Sequence, residues 1–221
     1  MSDQGALPDR RDNDFGLIET LLWTQGEGFH LFAEHLARLA ASSAALGFAF
    51  DEARVRDALS AAVAHDASER LRARLVLSRD GAIETSVTPI EPISRDTVWR
   101  VAIAERRFSS ADPLLRHKTT RRALYDDSLA EAAQRCGADE VLFLNERGEL
   151  CEASRCNLFV PLGEILLTPP LSSGLLPGTL RAALIAQGRA HESILRLEDI
   201  AEREFFLGNS VRGLVRARLI D

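Results

Sequence analysis

The stretch Arg116-His117-Lys118-Thr119-Thr120-Arg121-Arg122 holds the one lysine of the sequence, against 26 arginines. A guanidinium stays protonated and is a poor nucleophile, whereas a desolvated amine can lose its proton and condense with a carbonyl to an imine. Lys118 is therefore a candidate for work that arginine cannot do. Chance survival in an arginine-rich composition is the competing explanation, and the neighbours have to decide between them.

Four other places carry groups of the right kind. Glu152 ends a strand-like run in GELCEASRCNLF and is followed by Asn157; it is a carboxylate for a cationic nitrogen or a surface residue of a hairpin. Gly174-Leu175-Leu176-Pro177-Gly178-Thr179-Leu180-Arg181 reads as a Gly/Pro loop opening a helix, and a helix start offers free N–H groups and a positive dipole end to a phosphate. Arg38, in EHLARL, is an anion ligand or the i,i+4 partner of Glu34 on a solvated face. Gly208-Asn209-Ser210 is a turn with two spare polar side chains. An amine for an imine, a carboxylate for a ring nitrogen, and an arginine with a helix start for a phosphate form the set that pyridoxal 5'-phosphate requires.

The elements that must position these groups follow from periodicity. Phe32, Leu36, Leu39 and Leu46 recur at helical spacing over 30–46, with Gly47 as a stop. Asp51 caps a second helix through Ala64, in which Val55, Leu59 and Val63 lie four apart. The period then changes to two over 71–78, Asp80-Gly81 turns the chain, and 83–87 returns. Another strand follows at 98–104. The polar stretch ERRFSSADP interrupts the pattern, so the chain divides into a small N-terminal domain, 1–105, an interdomain linker, 106–113, and a cofactor-binding C-terminal domain, 114–221. In the latter, helices over 120–135 and 178–187 accompany strands at 140–144, 149–153, 157–161, 164–167, 204–207 and 214–219. Short strands with tight turns predict an α+β chain with a barrel-like mixed sheet rather than a doubly wound one. Lys118 falls just past the linker, where an interdomain cleft would lie.

Composition narrows the possibilities. A net charge of -6 counts against a general nucleic-acid binder. The longest apolar runs, such as AALIA or ILLTPPL, are far too short to span a bilayer. No basic start leads into an apolar segment, so a cytoplasmic location is expected. Cys136, Cys151 and Cys156 are odd in number and lack disulfide or zinc spacing, which reads as reduced packing thiols with no metal site.

The strings H-x-x-R-L (His35 to Leu39), HKTTRR, LFLNERGELCEASRCNLFV, TPPLSSGLLPG and LGNSVRGL together resemble the fold-type IV pyridoxal-phosphate enzymes. That group includes branched-chain and D-amino-acid aminotransferases and 4-amino-4-deoxychorismate lyase. The likeness runs from about Asp14 to the C-terminus. It implies two domains like those of D-amino-acid aminotransferase, a small N-terminal α/β sandwich and a larger barrel-like mixed sheet with helices. It also assigns roles. Lys118 holds the cofactor as an imine and shuttles the substrate proton, and Glu152 pairs with the pyridine nitrogen. Arg38 and the backbone N–H groups of Thr179 and Leu180 grip the phosphate with help from Asn209. Ser210 lies at the substrate carboxylate. Two spellings depart from the aminotransferase pattern. Leu180 stands where a Thr is usual, and Tyr125 comes seven residues after the lysine rather than five, which leaves it out of the expected site.

The opening FGLIETLLW resembles the lyases in particular, as do the HKTTRR and LGNSVRGL spellings of the lyase domain fused behind aminobenzoate synthase component I. The implied reaction converts 4-amino-4-deoxychorismate to 4-aminobenzoate and pyruvate for folate synthesis, with Thr20 assisting proton transfer. Thr20 is equally well read as a strand hydroxyl on a half-buried face. Arg106, Arg107 and Arg212 are candidate contacts for the substrate carboxylates. A branched-chain or D-amino-acid aminotransferase is the alternative, and an inactive cofactor-binding partner domain a second one. A homodimer and a functional link to the synthase component are the expected associations, with no nucleic-acid or membrane partner.

Overall fold

Two sheets organise the described residues, 15–220, of this computed structural model. The polar start from Ser2 to Asp14 lies outside them. The first sheet is antiparallel, with β1 (Leu17–Thr24), β2 (Gly28–Phe29), β3 (Arg70–Leu77) and β4 (Ile83–Pro89) in the order β2-β1-β3-β4. Helices α1 (Phe32–Leu46) and α2 (Glu52–Val63) cover one of its faces. Alternation decides which face. Leu71, Ala73, Leu75 and Leu77 of β3 pack against Leu36 and Leu39 of α1 and Val55, Leu59 and Val63 of α2, as period two against period 3.6 requires. Asp51 caps α2 by accepting from Arg54 N at 3.2 Å, and Gly47 ends α1 at a φ of 70°, a left-handed conformation that favours glycine.

The second sheet is mixed. Its members are β5 (Val98–Ile103), β6 (Glu140–Leu144), β7 (Leu150–Ala153), β8 (Asn157–Leu162), β9 (Ile165–Thr168), β10 (Ala190–Glu192), β11 (Phe205–Asn209) and β12 (Gly213–Leu219). They run in the order β10-β9-β8-β11-β12-β5-β6-β7, and a β7–β8 pairing closes six of them into a barrel. Val101, Leu142, Leu150, Leu158, Leu207 and Ala217, one from each barrel strand, form a single buried cluster, which is possible only inside the closure. Their alternates Ala102, Val141, Phe143 and Cys151 face outward beneath α3 (Ala123–Cys136). Phe159 does so beneath α4 (Thr179–Ala186), with Leu184.

The sheets correct one expected boundary. A division at residue 105 would leave β5 with the N-terminal sheet, but β5 is hydrogen-bonded in parallel between β12 and β6. The chain passes from one sheet to the other in 90–97 instead. The polar stretch at 105–113 is a surface loop of the barrel, tied down by Phe108, which is buried and donates its N–H to Leu144 O at 2.9 Å. Polarity there reports exposure, not a division between sheets. Helix α3 also starts three residues late, because Thr119 and Thr120 are committed to pairing with Leu17 and Gly16. No described helix is long and apolar enough to cross a membrane.

Candidate active site

The backbone of Lys118 is stapled to β1. Its carbonyl accepts from Ile18 N at 2.8 Å, and Thr120 N donates to Gly16 O at 2.9 Å. The adjacent His117 bonds Ser42 Oγ through Nδ1 at 2.9 Å. A single turn over Pro113–Arg116, capped by Asp112, delivers the chain to this seam. No hydrogen bond to the Lys118 amine occurs among the described residues. Desolvation, with the positive charges of Arg38 and Arg122, brings the amine down to about 8 against the weaker pull of Glu19 and Glu152.

Glu152 is the penultimate residue of β7, opposite Asn157 on β8. One carboxylate oxygen accepts from the Tyr125 hydroxyl at 3.0 Å and the other from Leu176 N at 3.2 Å. Burial raises its pKa to about 7 in spite of these bonds. The Tyr125 ring is held edge-on by Phe108 and Phe143, at 5.5 and 5.3 Å between centroids. The loop before α4 is placed by Asn157, whose Nδ2 donates to Leu176 O at 3.1 Å. It comes so close that a Cβ on Gly178 would lie 1.9 Å from Asn157 Oδ1. Gly178 is the N-cap of α4 and no side chain caps that helix start, so its first N–H groups are left for another acceptor.

Arg38 reaches the same loop from α1. Its NH1 donates to Pro177 O at 3.3 Å, while Nε and NH2 clasp Glu19 at 2.9 and 2.6 Å. Glu34, the alternative partner, is not used. Glu19 also takes His35 Nδ1 at 2.5 Å. His35 Nε2 lies 2.9 Å from Ser210 Oγ and 3.3 Å from Thr179 Oγ1.

The geometry thus gathers Lys118, Glu152, Arg38, Thr179 and Ser210 around one seam between the sheets. Leu180 contributes only backbone, since its side chain packs toward Gly208 and Phe159. Asn209 is turned elsewhere. Its Oδ1 accepts from Val211 N and Arg212 N, and its Nδ2 donates to Arg155 O and Cys156 Sγ, so a turn consumes the side chain expected at the phosphate. Thr20 neighbours Glu19 on β1 and therefore points to the opposite sheet face, half-buried and across from Arg74. Arg106 pairs with Glu131 on the outside of α3, and Arg107 donates to Asn145 O. Arg212, beside Ser210, donates to Glu91 O at 3.4 Å. Tyr125, Asn157, Glu19 and His35, to which the sequence assigns no role, also lie here. A lone acidic residue in the apolar run LIETLLW, and a His three positions before Arg38, were the available signals.

Residues 16–220 match the family described as amino-transferase class IV, and the chain belongs to that family. A Schizosaccharomyces pombe protein named "Putative aminodeoxychorismate lyase" is 30% identical over 92% of this chain and 89% of its own length. The crystal structure of a "Putative amino-acid aminotransferase" from Mesorhizobium loti is 46% identical, with a TM-score of 0.88 over 94% of this chain and 100% of that one. A hypothetical aminotransferase of Mycobacterium tuberculosis in its PLP-bound form is 25% identical, with a TM-score of 0.81 over 99% of this chain and 87% of that one.

Proposed function

We propose that this chain is a pyridoxal-phosphate-dependent lyase that converts 4-amino-4-deoxychorismate to 4-aminobenzoate and pyruvate. The observation carrying the cofactor is an uncommitted, desolvated lysine amine in one seam with a buried carboxylate and an uncapped helix start. The donor set suits the group. Lys118 would hold the aldehyde carbon, Glu152 the ring nitrogen, and Arg38 with the N–H groups of Thr179 and Leu180 the phosphate. When bound, the cofactor supplies an electron sink for the carbanion that forms beside the substrate nitrogen.

The remaining steps belong to side chains. The pKa of Lys118, near 8, leaves a useful fraction of free base at neutral pH, so it can take the proton from C4 of the ring. The bond from C3 to the enolpyruvyl oxygen then breaks, the ring becomes aromatic, and the released enol gains a proton at its methylene carbon to give pyruvate. Thr20, on the face of β1 opposite Glu19, takes that proton transfer only on the ground of the lyase resemblance. Ser210, with Arg212 next to it, is assigned to a substrate carboxylate. Arg106 and Arg107 are engaged by Glu131 and by the Asn145 carbonyl. The reading includes a homodimer in the cytoplasm.

The Schizosaccharomyces pombe relative supports the lyase. The Mesorhizobium loti structure, under its own description, favours a second reading as an amino-acid aminotransferase. Pyruvate release from enzymatically generated 4-amino-4-deoxychorismate, with no keto acid added, is the expected outcome. Turnover only in the presence of a keto acid would establish the second reading in its place.

A further inference from the structure

Arg38 has five N–H groups, and Glu19 takes two of them along the Nε/NH2 edge while Pro177 O takes a third. Two remain. Their direction is not free, because a planar guanidinium clasped on one edge can turn neither about its plane nor within it. The clasp is itself fixed. Glu19 is 3% exposed on a strand that is hydrogen-bonded along its whole length to β3. Its second basic partner, His35, is 1% exposed. A carboxylate only accepts, so His35 must present Nδ1–H to it, and the ring then places Nε2 between the oxygens of Ser210 and Thr179. One carboxylate on β1 thereby orients groups that come from α1, from the start of α4 and from the β11–β12 turn. Burial pushes Glu19 upward, but the Arg38 charge and the bonds from His35 and Arg38 outweigh it and hold it down to about 2. Its charge is present throughout any working range.

We propose that Glu19 and His35 are positioning residues. Glu19 aims the free edge of Arg38 at an anion bound at the start of α4, and His35 sets two hydroxyls, that of Thr179 at the same helix start and that of Ser210 at the place assigned to the substrate carboxylate. This rests on the reading in which a cofactor phosphate occupies that place. It goes beyond that reading in making the aim of Arg38 a property of β1 rather than of Arg38 itself.

The test uses two probes that differ only in the phosphate, pyridoxal phosphate and pyridoxal, titrated into the full chain and followed by the absorbance of the imine at Lys118. Glu19→Gln keeps the shape and removes the charge. It is expected to weaken pyridoxal phosphate by about tenfold to a hundredfold and to leave pyridoxal within about twofold. Equal affinity of wild type and variant for pyridoxal phosphate would overturn the proposal. So would an equal loss for both probes, because that is what a merely structural residue gives. If Glu19→Gln fails to fold, Glu19→Asp, which keeps the charge and withdraws it by one methylene, is judged by the same ratio. His35→Asn retains an N–H for Glu19 and abandons Ser210. It is expected to raise KM several-fold with kcat nearly unchanged, and an effect on kcat alone would remove His35 from the role. Failure of the wild type to form an imine at Lys118 would strike the functional reading, a result distinct from any of these.

Discussion

Glu19 and Glu152 are both buried carboxylates, 3% and 5% exposed, and the fold drives them in opposite directions. Glu19 meets three N–H donors from two basic side chains and is held at about 2. Glu152 meets a phenol and one amide, and burial raises it to about 7. Burial is common to both, so the number and charge of the donors decide which way each one moves. The cluster on the first sheet is complete before any ligand arrives. The pair in the barrel, Glu152 with the bare amine of Lys118, is incomplete, and each member sits closer to neutrality than its ordinary value. A finished cluster holds geometry; an unfinished one has free energy to gain from a cation at the carboxylate and a carbonyl at the amine.

The comparison breaks most visibly at Lys118. Lys118→Arg should keep the fold and the charge yet lower turnover by about 10³-fold or more, since no imine can form. Borohydride reduction of the wild type should fix the cofactor to the peptide containing Lys118 alone, and a label recovered elsewhere would make the lone lysine an accident of composition.

Glu152→Gln is expected to lower turnover by about a hundredfold, and it also tests the unfinished state without cofactor. A carboxylate whose folded pKa is raised binds its proton more tightly in the folded chain. The stability it contributes is full below its ordinary value and is lost as pH rises through about 7. The cofactor-free wild type should therefore lose on the order of 3 kcal/mol between pH 4.5 and pH 7 from this group. Denaturant titrations of Glu152→Gln should show that slope gone. Glu19 runs the other way, giving stability that is present above its ordinary value and lost as pH falls toward 2.

Smaller effects come from the framing residues. Gly178→Ala places a carbon on Asn157 Oδ1. It should cost about 1–3 kcal/mol in thermal or denaturant unfolding, with cofactor affinity about tenfold weaker as the loop backs away. Tyr125→Phe removes a donor that favours charged Glu152. It should push the Glu152 pKa further up and reduce turnover by about fivefold, seen as a displaced limb of the pH–rate profile. An unmoved limb would mean that the hydroxyl merely fills space.

How much of this was legible beforehand follows from which forces are local. Period and turn chemistry gave β3, β4, α2 and β6 to within a residue or two, because a half-buried strand or a capped helix writes its face into its own residues. Lys118, Glu152 and Arg38 stand out in the sequence by residue type, and the fold brings them to one seam. The membership of β5 was not, since pairing with β12 joins residues more than a hundred positions apart. The diversion of Asn209 was hidden for the opposite reason. An Asn after a strand and before Ser-Val-Arg is as ready to cap its own turn as to reach a ligand, and only the backbone path decides. Glu19 escaped because its partners, His35 and Arg38, reach it only when α1 lies on β1.

The bond from Ile18 N to Lys118 O has a consequence of its own. The first sheet ends on the backbone of the residue assigned the chemistry, so the two sheets cannot part at this seam without releasing that carbonyl. The amide hydrogen of Ile18 is thus a clock for the seam. Its exchange with deuterated solvent counts the openings, and its slowing on addition of cofactor would measure, at a single atom, how firmly a ligand held by one sheet closes the other over it.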